Sequence, residues 1–313
     1  MKIGVVGVGF VGGACANACV MRGVGTALTL VDHNPDLAVA QAEDILHATP
    51  FARSMPVTAG NYADLEGCGV VMVAAGVNQK PGETRLDLLK RNADIFRTII
   101  PQIIKAAPDA ILLIATNPVD VMTHLVTNIA REYGVASSRV IGSGTMLDTA
   151  RFRALLGQHL GVSSHSVHAY VLGEHGDSEV LHWSGAAVGT IPLATFAADI
   201  RCSVTEDVKA RIDEGVRCAA AHIIKGKGAT YFGIGSGMAR LAKAIIEDEN
   251  ALLTCSQFHA DVAGVADVTL SLPAIINNRG VAHIVPPPLI DTEHAALARS
   301  AAILREAASA IGC

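Results

Sequence analysis

The feature that most constrains this chain is Gly7-Val8-Gly9-Phe10-Val11-Gly12, set between a short apolar run, Lys2 to Val6, and a stretch from Phe10 to Met21 that reads as a helix. A strand, a tight glycine turn and a helix form a phosphate cradle. Gly7 permits the turn, Gly9 lets backbone approach a pyrophosphate, and Gly12 lets helix pack on strand while the helix N-terminus faces the phosphates. Asp32 stands twenty residues past Gly12, at the end of the run Ala27 to Val31. A carboxylate there can hydrogen-bond an adenosine ribose and repels a 2′-phosphate, which favours NAD over NADP. The competing reading is a glycine-rich turn with a helix-capping aspartate.

Further short apolar runs occur at Pro56 to Ala59, Val70 to Ala75, Ala110 to Ala115 and Arg139 to Ile141, without strict alternation, as in strands buried on both faces. Helical patterns over 36–47, 86–105 and 119–133 separate them. This alternation predicts a doubly wound parallel (Rossmann) sheet over residues 1–142. From 143 to 313 the pattern changes to α+β, as expected of a substrate domain. It has a long helix from Leu147, strand-like segments near 166–172 and 268–272, and a hairpin signal at Asn277-Asn278-Arg279-Gly280. Leu297, Ala301, Leu304, Ala308 and Ile311 form one apolar stripe near the C-terminus.

Composition narrows the function classes. A net charge of −5 without blocks of like charge argues against nucleic acid as a partner. Seven scattered cysteines with no C-x-x-C pair read as reduced thiols of a cytoplasmic protein. Mean hydropathy is +0.40, yet no apolar run approaches the roughly 18 residues of a membrane span. Gly12-Gly13-Ala14-Cys15 after an apolar stretch looks like a lipoprotein signal, but Gly4, Gly7 and Gly9 are too many glycines for a signal helix.

Four polar clusters stand in apolar surroundings. Residues 74–85 form a loop with Gly and Pro punctuation that can act as a lid. Thr116-Asn117-Pro118-Val119-Asp120 follows a buried strand, where doubly wound sheets bind ligands. Asp148 and Arg151 are spaced to share a helix face, as a surface ion pair also would. His175 lies between glycines in Gly173-Glu174-His175-Gly176-Asp177.

In this order the clusters resemble those of the NAD-dependent L-lactate and malate dehydrogenases, over nearly the whole chain. The resemblance implies that His175 exchanges a proton with the substrate oxygen while Asp148 orients it, a sensible pairing near neutral pH. It implies that Arg151 clamps the substrate carboxylate through two parallel hydrogen bonds, that Arg85 rides in on the lid to polarise the carbonyl, and that Asn117 orients the substrate. It assigns cofactor contacts to Val11, Asp32, Tyr62, Gly76, Val77, Ala115, Thr116, Asn117, Ser143 and Ile234 beside the glycines, and expects no metal.

Lactate and malate enzymes differ at the position six residues before the mobile arginine, here Gln79. A neutral side chain offers no counter-charge to the second carboxylate of oxaloacetate. With Thr230 accommodating a methyl group, the resemblance leans to pyruvate and L-lactate, provided that Lys80 points to solvent. Malate dehydrogenase and a non-catalytic NAD-binding sensor are the alternatives.

His165 and His168 have H-x-x-H spacing, but on a strand they face opposite sides, which disfavours a metal. By resemblance Arg153 and His168 match cations that bind fructose 1,6-bisphosphate between subunits of a homotetramer. Ordinary interface contacts are the other reading.

Overall fold

In a computed structural model the chain is described over residues 1–77 and 82–313, with Arg85 described by its backbone alone. The first half alternates β1 (Lys2–Val6), α1 (Phe10–Met21), β2 (Ala27–Val31), α2 (Pro35–Ala48), β3 (Val57–Ala59), β4 (Cys68–Val73), α3 (Arg85–Ala106), β5 (Ile111–Ile114), α4 (Val119–Glu132) and β6 (Val140–Gly142). These strands lie parallel in the order β3-β2-β1-β4-β5-β6. All of Ile111-Leu112-Leu113-Ile114 is buried, so β5 carries no alternation: helices cover both faces of the sheet.

The second half comprises α5 (Met146–Leu160), β7 (Val167–His168), β8 (Val171–Leu172), β9 (Val180–Leu181), β10 (Ala187–Val188), β11 (Ile191–Pro192), α6 (Leu193–Asp199), α7 (Glu206–Arg217), α8 (Ala219–Lys227), α9 (Phe232–Ile246), β12 (Ala251–Val262), β13 (Val265–Asn277), β14 (Gly280–Ile284) and α10 (Asp291–Ser309). The long antiparallel β12 and β13, with β14, extend the first-half sheet, because Ser256 of β12 bridges Gly142 of β6. The hairpin signal forms the β13–β14 turn. Gly280 takes φ +92° there, and a Cβ on it would lie 2.1 Å from the Ser138 carbonyl oxygen.

Two apolar layers sandwich the sheet. One joins Leu112 and Ile114 to Phe96 and Ile100 of α3, Val126 of α4 and the α10 stripe. The other joins Ile3, Leu28 and Met72 to Cys15 and Val20 of α1 and Met238 of α9. Cys15, the residue of the lipoprotein-like motif, is thus a buried core side chain. A third core, around Phe152, Leu156 and Val216, lies between α5 and α7. Among the described residues no helix is long and apolar enough to cross a membrane.

The strand expected over 166–172 is broken. His165 sits in a 3-10 turn over Ser164–Ser166, and β7 and β8 belong to different small sheets. The strand geometry invoked for His165 and His168 is therefore not the one adopted, and both side chains are exposed.

Candidate active site

At the C-terminal ends of β1 and β4 the chain leaves to opposite faces of the sheet, which opens a crevice. The glycine loop occupies one side of it. Gly7 has φ +84° and a Cβ there would come within 2.4 Å of Ala75, while one on Gly12 would sit 1.9 Å from the Gly7 carbonyl oxygen. A Cβ on Gly9 would meet nothing within 4 Å among the described residues. Gly9 is also the N-cap of α1, with no side-chain cap and no acidic residue in the first turn. The free N–H groups and positive helix end suit an anion.

Asp32 is bound into this loop: Oδ2 accepts from the Val8 N–H at 2.8 Å and Oδ1 from the Asn34 N–H at 3.0 Å. It lines a cleft of about 450 Å³ with Tyr62, Gly76 and Val77. Burial, then the charge of Asp32, raises the Tyr62 hydroxyl pKa. A second cleft, of about 540 Å³, shares Gly9, Gly76 and Val77 and continues past Val11, Ala115, Thr116 and Asn117 to Gly228 and Ala229. The two make one trough with a carboxylate at one end and a polar strand terminus at the other. Its glycine floor and the carboxylate at its end fit a dinucleotide. Ser143 is buried beyond β6 with its N–H on the Ile114 carbonyl oxygen, Ile234 packs beside α1, and Thr230 is half-buried next to Ala229.

Asn92 of α3 braces the far end of the trough, accepting from the Val77 N–H at 3.0 Å and donating to the Asn117 carbonyl oxygen at 3.4 Å. Gln79 and Lys80 lie outside the described residues, as does the side chain of Arg85. Its backbone opens α3 directly after Thr84, which caps the helix reciprocally with Asp87. These hydrogen bonds to Thr84 lower the Asp87 pKa.

Asp148 lies in the first turn of α5, where the helix dipole favours a carboxylate. Its side chain is 2% exposed, and each oxygen holds one partner: Oδ1 the Arg151 Nη1 at 2.7 Å, Oδ2 the His175 Nδ1 at 2.5 Å. A carboxylate only accepts, so Nδ1 carries the proton and Nε2 is the nitrogen that can pass one on. This is a buried trio and not a surface ion pair. Burial pulls the His175 pKa down, but the hydrogen bond and charge of Asp148, with the charge of Asp120, outweigh it and raise the value to about 9. At neutral pH the imidazole is therefore protonated.

Asp120 is the residue to which sequence reasoning gave no task. It is 2% exposed, and its carboxylate accepts from the His175 backbone N–H at 2.7 Å and from the Ser256 hydroxyl at 2.6 Å. Burial raises its pKa to about 6 against those hydrogen bonds. Asn117 and Asp120 flank the start of α4, so one short segment both lines the trough and anchors the histidine loop. An acid between the buried Val119 and Val121 was the available signal.

Arg153 and His168 lie apart from this trough. Arg153 Nε donates to the Ala169 carbonyl oxygen at 2.9 Å and its guanidinium faces the Tyr170 ring at 5.3 Å, one step along the chain from the exposed His168. Burial lowers the Arg153 pKa.

Residues 1–142 match the family described as lactate/malate dehydrogenase, NAD binding domain, and residues 145–311 its alpha/beta C-terminal domain. The chain is 58% identical to an L-lactate dehydrogenase of Thermus aquaticus over 312 residues, and 55% identical to one of Allorhizobium ampelinum over 313. Each match covers 100% of both proteins. The crystal structure of a lactate dehydrogenase from a Medee basin deep-sea metagenome library superposes with a TM-score of 0.96 at 43% identity, covering 100% of this chain and 99% of that one. With a glycine loop after β1, a buried aspartate after β2 and two matched halves, the chain belongs to the lactate/malate dehydrogenase family of NAD-dependent oxidoreductases.

Proposed function

We propose that this chain is an L-lactate dehydrogenase that reduces pyruvate and oxidises L-lactate, with His175 as the proton donor and acceptor. The observation that carries the reading is the Arg151–Asp148–His175 trio, in which one buried carboxylate fixes both a proton donor and a guanidinium. NAD, when bound, supplies or accepts the hydride at the substrate's second carbon. When bound it would lie along the trough, with Gly7 and Gly9 at the phosphates, Asp32 and Tyr62 at the adenosine, and Gly76, Val77, Ala115, Thr116 and Asn117 along the floor, and Gly12, Ser143 and Ile234 would complete its contacts.

During reduction His175 gives its Nε2 proton to the oxygen that becomes the hydroxyl, and Asp148 stabilises the imidazolium before transfer and orients the ring. Arg151 keeps one donor on Asp148 and turns others to the substrate carboxylate, a planar fork that matches its two oxygens. Arg85, at the first position of α3 next to the lid segment, polarises the carbonyl as negative charge grows on it. Gln79 and Thr230 select the small uncharged end of pyruvate.

Regulation by fructose 1,6-bisphosphate belongs to the same proposal. Arg153 and His168 neighbour one another through Ala169 and Tyr170, and in a homotetramer those of two facing subunits would present cations to both phosphates.

One assay tests these readings: NADH oxidation with pyruvate and with oxaloacetate, each with and without the bisphosphate. Pyruvate is expected to exceed oxaloacetate in kcat/KM by at least about 100-fold, the scale of one uncompensated buried group. Comparable values would reject the reading of Gln79, and turnover of neither would favour a sensor. The bisphosphate is expected to lower the pyruvate KM; no change at any pH leaves Arg153 and His168 as interface residues.

A further inference from the structure

The acid at the adenosine end of the trough already has three partners. Besides the Val8 N–H on Oδ2 and the Asn34 N–H on Oδ1, Asp32 meets the ring of the next residue, with His33 Nδ1 2.8 Å from Oδ1. A carboxylate only accepts, so that nitrogen carries a proton. Both lone pairs of Oδ1 are then in use and Oδ2 has one left, whereas a ribose offering its 2′- and 3′-hydroxyls needs two. The two side chains differ in freedom. That of Asp32 is 6% exposed and tied to two backbone N–H groups, while that of His33 is 96% exposed, with Asp32 as its one polar partner among the described residues. Both line the same cleft of about 450 Å³, which no described lysine or arginine lines. The other titratable groups around the ring are Tyr62 of the cleft and Asp36 in the first turn of α2. His33 is therefore the one described side chain lining this cleft that can carry a positive charge.

We propose that His33 is a specificity-determining residue for the adenosine ribose: as an imidazolium it closes over Asp32 against a free ribose and offers a cation to a 2′-phosphate, so that the preference for NADH over NADPH narrows in acid. The proposal rests on the reading of Asp32 as the ribose contact. In alkaline solution a neutral ring yields its hydrogen bond to the ribose hydroxyls, and Asp32 repels a 2′-phosphate unopposed. In acid the imidazolium grips Asp32 through a charge-assisted hydrogen bond that the ribose has to displace, and the pair presents no net charge to a phosphate. NADH binding weakens and NADPH binding gains. Both changes move the ratio of the two affinities the same way.

Fluorescence titration of NADH and of NADPH onto the whole protein, in steps from about pH 8 to about pH 5.5 where imidazoles take up their charge, reads this without turnover. A 2′-phosphate itself binds a proton near pH 6, roughly as a phosphorylated side chain does, so the wild type is compared with His33→Gln, which keeps a polar side chain without the charge. The ratio of the NADPH to the NADH dissociation constant is expected to fall with pH about 5-fold further in the wild type than in the variant, the scale of one exposed ion pair. At the alkaline end the two proteins are expected to converge. The side chain lies almost wholly in solvent, so the substitution leaves the fold intact. Equal ratios in the two proteins at every pH overturn the proposal. Asp32→Asn separates this failure from that of the ribose reading. Weakened NADH binding in Asp32→Asn, together with equal ratios in the other two proteins, rejects His33 alone. Undiminished NADH binding in Asp32→Asn rejects the ribose contact and the proposal with it.

Discussion

Arg151→Lys is expected to lower kcat/KM for pyruvate by on the order of 1,000-fold, mainly through KM, because a buried charge-assisted contact is lost. Arg151 has 15% side-chain exposure and already commits Nη1 to Asp148 at 2.7 Å. A guanidinium can hold Asp148 and still offer two parallel donors to a carboxylate, whereas a single ammonium cannot do both in that geometry. Asp148 would keep its charge but lose its fixed neighbour, so kcat should suffer as well, through the orientation of His175. Steady-state kinetics over a wide pyruvate range check this. A near-normal KM would sink the assignment of Arg151 as the substrate clamp.

Asp148→Asn is expected to lower pyruvate reduction by roughly 100- to 10,000-fold, the usual span for disabling a general acid. The amide removes the hydrogen bond to a charge and the Coulombic attraction that together raise the His175 pKa against its burial. With burial left and only Asp120 opposing it, the imidazole becomes neutral at a lower pH and arrives unloaded at the reduction step. The sign differs for the reverse reaction, which needs a neutral imidazole. Lactate oxidation in the variant should therefore lose less than pyruvate reduction at pH 7. Equal losses in both directions would point to misplacement of the ring and not to a changed proton affinity.

Much of this was legible in the sequence, for identifiable reasons. The nucleotide half announces itself because its strands are short, largely apolar and separated by helical stretches. The span of α1 read from the sequence, Phe10 to Met21, is the one observed. The Asp148–Arg151 spacing also reads directly as a shared helix face. The strand β12 escaped notice because Thr254, Ser256, Gln257 and His259 are buried within it. Three of those polar groups are accommodated by partners on other elements: Thr254 by Thr149, Ser256 by Asp120 and His259 by the Leu270 carbonyl oxygen. Apolar periodicity cannot register a strand whose burial depends on hydrogen bonds supplied by other elements.

The same limit explains Asp120. It is an acid between buried valines, and so conspicuous, but what it does depends on the long-range packing of α4 on β12. His175 itself stood out only as a histidine between glycines. Its raised proton affinity comes from Asp148 on another element, 27 residues away, with Asp120 adding to it.

The most direct test of His175 as the proton carrier is the pH dependence of kcat/KM for pyruvate in the wild-type protein at saturating NADH. The rate is expected to stay level through neutral pH and to fall as pH rises through about 9, where the imidazolium held by Asp148 loses its proton. A fall centred near the ordinary histidine value of 6.5, or no dependence across that range, would contradict it.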